Sequence, residues 1–534
     1  MDIDKNTLLN FIKGNQNNQL VIPIYQRLYS WEEEQCKQLW DDIIKIGGDD
    51  KMDGHFIGFI LYMLDGIKHS KNLLFIVDGQ QRLTTITLLL IALRDHLSDE
   101  VKRKEIEDDY LINSDKDSDK KFRLILSESD KDTLLSLIDK DRRKPSEPSS
   151  KIVENFKLFG EWISKNTNKL ETIFKGLDKL MIVEIALEKE KDDPQLIFES
   201  MNSKGIELTQ TDLIRNYVVM ETEIEKQESF YNKYWRAMEE DFKQNKKLFD
   251  RFVRHYLTIK TKIPNINKVY VVLKDYRQKE GIGIEDLLKD LQKYCGYFFR
   301  IVFKKEADKD LNKALSFLVD LEMDVIYPLL LELYSDYNDG VLSKADFISI
   351  IYLIESYLLR RAVCGIPSNG LNKFFASFAR HIQKDKYFKS LKVHFGSLTE
   401  KQRFPNNDEF KKLFITIDFY NFQKKEYFFE RLENFERKER VSTHEYTTEH
   451  IMPQTLTEEW ERDLGENFQA IYDKYLHTIG NLTLTGYNET YRNKSFQEKR
   501  DMEKGFKDSP LRLNQGLRDL ESFGEEEIKK ELMI

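Results

Sequence analysis

Cysteine is scarce: Cys36, Cys295 and Cys364 lie far apart and form no CxxC pair. That excludes a disulfide framework, speaks against a thiolate zinc site, and leaves reduced thiols as the expectation. Long apolar runs are missing too, none approaching the roughly 18 to 20 residues that cross a bilayer. The amino-terminal MDIDKNTLLNFIKGNQ has neither a basic start nor an apolar signal core, so a cytoplasmic protein with no membrane partner is expected. Positive charge is not in excess, since the formal net charge is -9. A chain that coats nucleic acid by bulk electrostatics is thereby excluded, while a local basic groove on an acidic body is not. No GxxxxGK[ST] occurs, which removes the ordinary Walker phosphate loop, and no fixed-period repeat marks a solenoid.

What is present is enough for several cores. At 534 residues the chain exceeds one ordinary domain, and 40% hydrophobic with 33% charged residues is the balance of a globular protein. The patterning predicts an α+β protein, mostly α-helical overall, in three parts. Residues 1–220 read as an α/β domain with short strands in LVIPIYQRLYSW, HFIGFILYML, NLLFIVDG and LDKLMIVEIALEKE. Within it, residues 98–150 are charge-dense and read as an insertion or linker, most mobile near 140–150. Residues 221–435 carry apolar positions at spacings of three and four and read as a helical domain. Residues 436–534 read as a small mixed domain, in the order strand, strand, helix.

Two regions carry chemistry. Near the C-terminus, EHIMPQ sets Glu449 beside His450 at a strand end, and GNLTLTGYNETYRNKSF follows with Asn481 and Asn488. Phosphodiester hydrolysis needs an activated water and neutralisation of charge on phosphate, tasks that one histidine and one divalent cation can share. An imidazole of ordinary pKa, about 6.5, accepts a proton from water at neutral pH if its other nitrogen is held, by an asparagine side chain or a backbone carbonyl. Glu449 and Asn488 offer hard oxygens, suited to Mg2+ or Mn2+. Arg492, Lys494, Lys499 and Arg500 form a local basic stretch for DNA phosphates. His444 and His477 lack such neighbours in sequence and are expected to be structural or solvent-facing.

Near the N-terminus, DGQQRLTT starts a helix directly after a strand, where unpaired N–H groups and the helix dipole favour anions. Arg82 can fork onto a phosphate, Gln80, Gln81 and Thr84 add donors and acceptors, and Asp78 can cap the helix or help hold a cation, with Gly79 in the turn. An internal ion pair is equally open to Arg82. Upstream, Tyr25, Gln26 and Arg27 precede Tyr29 and Trp31, aromatics that suit stacking on a base. Asp212 and Asn216, on a helix that Thr209 could cap, are further candidates, while Asn202 and Gly205 read as a turn.

The order E-H-I-x-P, G-N-L-T-L, Asn and basic helix resembles the HNH (ββα-metal) nuclease domain over roughly residues 440–505. IPxYQRxYxW with DGQQRLTT resembles the ParB/sulfiredoxin-like domain of GmrSD-type modification-dependent restriction systems, also seen in phosphorothioate-sensing SspE proteins. The resemblance implies His450 as general base, Asn481 as its positioning residue, and Glu449 and Asn488 as metal ligands. It further implies an N-terminal DGQQR domain that binds and hydrolyses a nucleoside triphosphate (GTP, UTP or ATP) or senses modified DNA, and so governs a nuclease that cuts or nicks foreign DNA in anti-phage defence. A modification sensor whose HNH domain binds without cleaving, and a nucleotide-hydrolysing scaffold, are the competing readings. Expected partners are DNA, a nucleoside triphosphate and, as an open option, further copies of the chain.

Overall fold

The computed structural model describes residues 2–15, 18–68, 71–113, 118–188, 192, 197, 209–243 and 245–532. The chain divides into two compact units, one of residues 1–251 with 266–290, the other of residues 252–265 with 291–534. Helices account for 61% of the structure, in keeping with an α+β class that is mostly α-helical. Among the described residues no helix is long and apolar enough to cross a membrane.

The first unit is built on a mixed six-stranded sheet in the order β1-β6-β3-β4-β2-β5. Its strands are β1 (Asp2–Thr7), β2 (Asn18–Val21), β3 (His55–Lys68), β4 (Lys71–Asp78), β5 (Leu124–Ile125) and β6 (Leu180–Leu187). β3 runs antiparallel to β4 and parallel to β6, while β2 runs parallel to both β4 and β5. Among its helices are α1 (Leu8–Gly14), α2 (Glu33–Gly47) and α3 (Gln80–His96). α3 leaves β4 after a single residue and is buried along nearly its whole length, from Gln80 to Arg94, which is why its sequence is apolar all round.

LVIPIYQRLYSW forms a strand only as far as Val21; the rest is a loop leading to α2. Residues 98–150 do more than link. Leu111, Phe122, Leu124, Leu126, Leu134, Leu135 and Ile138 enter the main core, and β5 extends the sheet. The insertion reading is therefore corrected: the charges that dominate this segment lie between apolar positions most of which enter or pack against the core, Val101 being exposed. Asn202 and Gly205 fall outside the described residues.

In the second unit the helix Lys344–Val363 packs against Lys309–Asp320. Later in this unit, β7 (Thr447–His450) pairs antiparallel with β8 (Leu482–Thr485), His450 opposite Leu482. Helices Glu458–Leu464 and Phe468–Tyr475 stand between these two strands, and short helices Asn488–Tyr491 and Phe496–Asp501 follow β8, so the expected order of strand, strand, helix is interrupted by a helical pair. Leu482 and Leu484 share a core with Val363, Phe419 and Phe429, so residues 436–534 pack onto the helices before them rather than standing apart.

Candidate functional site

The DGQQR junction is first a brace. Gly79 has φ +97°, and a Cβ there would sit 2.9 Å from the Phe59 carbonyl oxygen, so only glycine makes this turn from β4 into α3. Gln81 Oε1 accepts from Ser30 N (2.9 Å) and its Nε2 donates to Leu28 O (3.3 Å). Gln80 Nε2 donates to Gln26 Oε1 (3.0 Å), and Gln26 Nε2 donates to Val77 O (2.9 Å). Thr84 Oγ1 donates to Gln80 O within the helix. All these side chains are buried, and burial requires that their polar atoms be paired. The glutamines thus answer a need of the loop 22–32, which has no strand partner of its own over most of its length.

Arg82 is also committed internally. Its Nη1 donates to Ile57 O (2.9 Å), its Nη2 lies 3.6 Å from Asp78 Oδ2, and the missing side chain of Gly58 leaves the space its guanidinium fills. Tyr25 is buried, its carbonyl held by Arg215 Nε at 2.7 Å, and burial pushes its phenol above the usual range. Arg215, which nothing in the sequence marks, also pairs with Asp212 (3.0 Å) and Glu239 (2.6 Å). Thr209 caps its helix, accepting from Asp212 N at 3.1 Å. Arg27 differs from all of these: it is half-buried within electrostatic reach of Asp212 and Asp78, and its guanidinium has no hydrogen bond among the described residues. No side chain caps the start of α3.

The C-terminal site is organised by Asn481, which is fully buried. Its Oδ1 accepts from Met452 N (2.7 Å), and its Nδ2 donates to Met452 O (3.0 Å) and Leu476 O (2.9 Å). It does not touch the imidazole of His450. It clamps the loop after β7 to the segment before β8, which fixes the backbones carrying His450 and His477. The two rings meet, His450 Nε2 lying 3.1 Å from His477 Nδ1, while Gln454 Nε2 lies 3.2 Å from His450 Nδ1. Burial, with His477, Lys499 and Lys425 adding positive potential, holds His450 down at about 4, so its imidazole is neutral at physiological pH.

Alternation along β7 separates Glu449 from His450. The Glu449 carboxylate faces Lys499, whose fully buried Nζ lies 2.6 Å from Glu449 Oε1, 2.7 Å from His450 O and 3.1 Å from Ile451 O. Lys499 is therefore corrected from a DNA contact to an internal cation that holds the backbone of the base. Asn488 is exposed and donates to Thr448 O at 3.3 Å. Glu449 and Asn488 as arranged do not fit a divalent cation, because an ammonium already neutralises the one carboxylate. Among the described residues no group of three or more His, Cys, Asp or Glu is placed to hold a metal. Arg492 and Lys494 are exposed, whereas Arg500 is tied to Asp501 (2.6 Å) and to Leu520 O. His444 is exposed, as expected; His477, expected to be structural or solvent-facing, meets the ring of His450.

Comparison with known proteins bears on both regions. Residues 8–219 match the GmrSD restriction endonuclease N-terminal domain, and residues 404–532 match the GmrSD restriction endonuclease C-terminal domain. No curated protein matches the chain. Both matches lie in family order and together take in well over half of the sequence, each including one of the two braced sites: the chain belongs to the GmrSD-type restriction endonuclease family.

Proposed function

We propose that the chain is a DNA endonuclease whose cutting site is His450 and whose N-terminal unit binds a nucleoside triphosphate that governs cutting. The observation that carries the first half is the neutral imidazole of His450, buried at the end of β7 in the domain that matches the restriction endonuclease C-terminal domain. A neutral ring with one nitrogen held can take a proton from water as the hydroxide attacks phosphorus. Asn481 keeps its backbone in place, and Arg492 and Lys494 are the exposed cations available to the DNA backbone.

The nucleotide half rests on Arg27, the uncommitted guanidinium beside the uncapped start of α3, with Arg82 and Asp78 partly exposed next to it. That arrangement suits a polyphosphate. The buried Gln26, Gln80, Gln81 and Tyr25 act as its scaffold.

The Glu449–Lys499 pair favours one competing reading, a DNA-modification sensor in which the C-terminal domain binds without cleaving, since it withdraws the carboxylate the HNH resemblance assigns to metal. Plasmid cleavage separates the two. Wild-type chain is incubated with unmodified, glucosylated hydroxymethylated or phosphorothioated plasmid, with magnesium or manganese, and with or without GTP, UTP or ATP. Nicked or linear product that disappears in His450→Ala supports the nuclease; a mobility shift without strand breakage supports the sensor.

A further inference from the structure

The imidazole of His477 has no role in the reading above, although it makes the nearest polar contact to the ring of His450. Its own position is tightly set. The His477 carbonyl accepts from Phe419 N (2.8 Å) and Tyr420 N (3.2 Å). Its ring stacks on Tyr420, centroids 5.4 Å apart and planes 19° apart, and the same Tyr420 ring lies 4.4 Å from that of His450. Lys425 Nζ stands 4.5 Å over Tyr420 and donates to its carbonyl at 2.7 Å.

The donor and acceptor roles in this cluster follow from Gln454. Its amide nitrogen carries hydrogens and no usable lone pair, so at 3.2 Å from His450 Nδ1 it donates and Nδ1 accepts. A neutral imidazole has one N–H, which then sits on Nε2 and is donated to His477 Nδ1 at 3.1 Å. The Gln454 side chain is exposed and occupies the direction from which a water would reach Nδ1.

We propose that His477 is a positioning residue for His450: by accepting the Nε2 hydrogen it fixes the tautomer whose Nδ1 lone pair takes the proton of the attacking water. This rests on the reading of His450 as the base. In the step, a water displaces the exposed Gln454 amide from Nδ1, and its oxygen forms its bond to phosphorus as its proton passes to Nδ1. The bond from phosphorus to the leaving oxygen breaks, and that oxygen takes a proton from solvent. The imidazolium so formed keeps its Nε2 hydrogen in the bond to His477.

The test compares His477→Phe, which retains a ring against Tyr420 but no acceptor, with His477→Asn, whose Oδ1 can stand where Nδ1 stood. In plasmid cleavage, His477→Phe is expected to lose about 10- to 100-fold in kcat with KM for DNA unchanged, and His477→Asn to recover most of that loss. Wild-type rates in His477→Phe, or equal losses in both variants, would overturn the assignment. His450→Ala is run in parallel: if it still cuts, the reading of His450 fails, whereas a dead His450→Ala beside a fully active His477→Phe fails His477 alone. Should His477→Phe not fold, or wild type not cut the plasmid, nitrogen-15 spectra of histidine-labelled wild-type chain decide, with His450 assigned by its loss in His450→Ala. A proton on His450 Nε2 supports the proposal, and one on Nδ1 overturns it.

Discussion

His450 is a buried base kept neutral by its surroundings, and this has a consequence for stability. Its folded pKa, about 4, lies below the ordinary 6.5. Between those values the unfolded chain binds the proton and the folded chain does not, so this residue's contribution is present above about 6.5 and is lost as pH falls toward about 4. Thermal unfolding of His450→Gln should accordingly show a shallower loss of stability than wild type across that window; identical pH slopes would refute the point. Lys499 and Glu449 present a different balance. Burial drives the Glu449 carboxyl up and the Lys499 ammonium down, opposing the attraction between them, so the pair specifies geometry more than it stabilises. Glu449→Gln strands the ammonium and should cost about 3 to 5 kcal/mol, whereas the double replacement Glu449→Leu with Lys499→Met should recover most of it. Denaturant unfolding of the two variants checks this.

At the scale of elements, the junction of β4 and α3 and the loop 22–32 form one structure, joined by Gln81. Gln81→Met keeps the volume but removes the partner of Ser30 N and Leu28 O, groups of two exposed residues, at a cost of about 0.5 to 1.5 kcal/mol for each bond lost. Proteolysis should then nick residues 22–32 faster than in wild type, and an unchanged cleavage pattern would show that the loop is held otherwise. Much of this element was legible in sequence, because NLLFIVDG followed by an apolar helix leaves little choice but a strand, a turn and a buried helix. The function of the glutamines was not, since a hydrogen-bonding side chain at a helix start reads the same whether it faces a ligand or a neighbouring loop. Residues 98–150 read otherwise in sequence because their apolar clusters, FRLIL and TLLSLI, are short and set among many charges, and only the core shows that they are part of it. In the C-terminal region the strands around Glu449 and Asn481 were readable. The approach of His477 to His450 depends on the clamp between Met452 and Leu476, and the one available signal was that a second histidine shortly precedes the clamping asparagine.

At the scale of the whole molecule, a chain of net charge -9 has its exposed candidate DNA contacts confined to a short stretch, Arg492 and Lys494. Binding should therefore depend on a few phosphate contacts and weaken modestly with salt. The N-terminal unit brings a separate demand. Arg27→Ala removes a guanidinium that makes no hydrogen bond among the described residues, so nucleoside triphosphate turnover should fall while the thermal transition is nearly kept; unchanged turnover would remove the nucleotide site from this position. Whether this member of the GmrSD-type family cuts DNA with His450 is decided by plasmid cleavage with wild type and His450→Ala side by side. Strand breakage by wild type and none by a folded His450→Ala is the predicted result; equal breakage by both would contradict it.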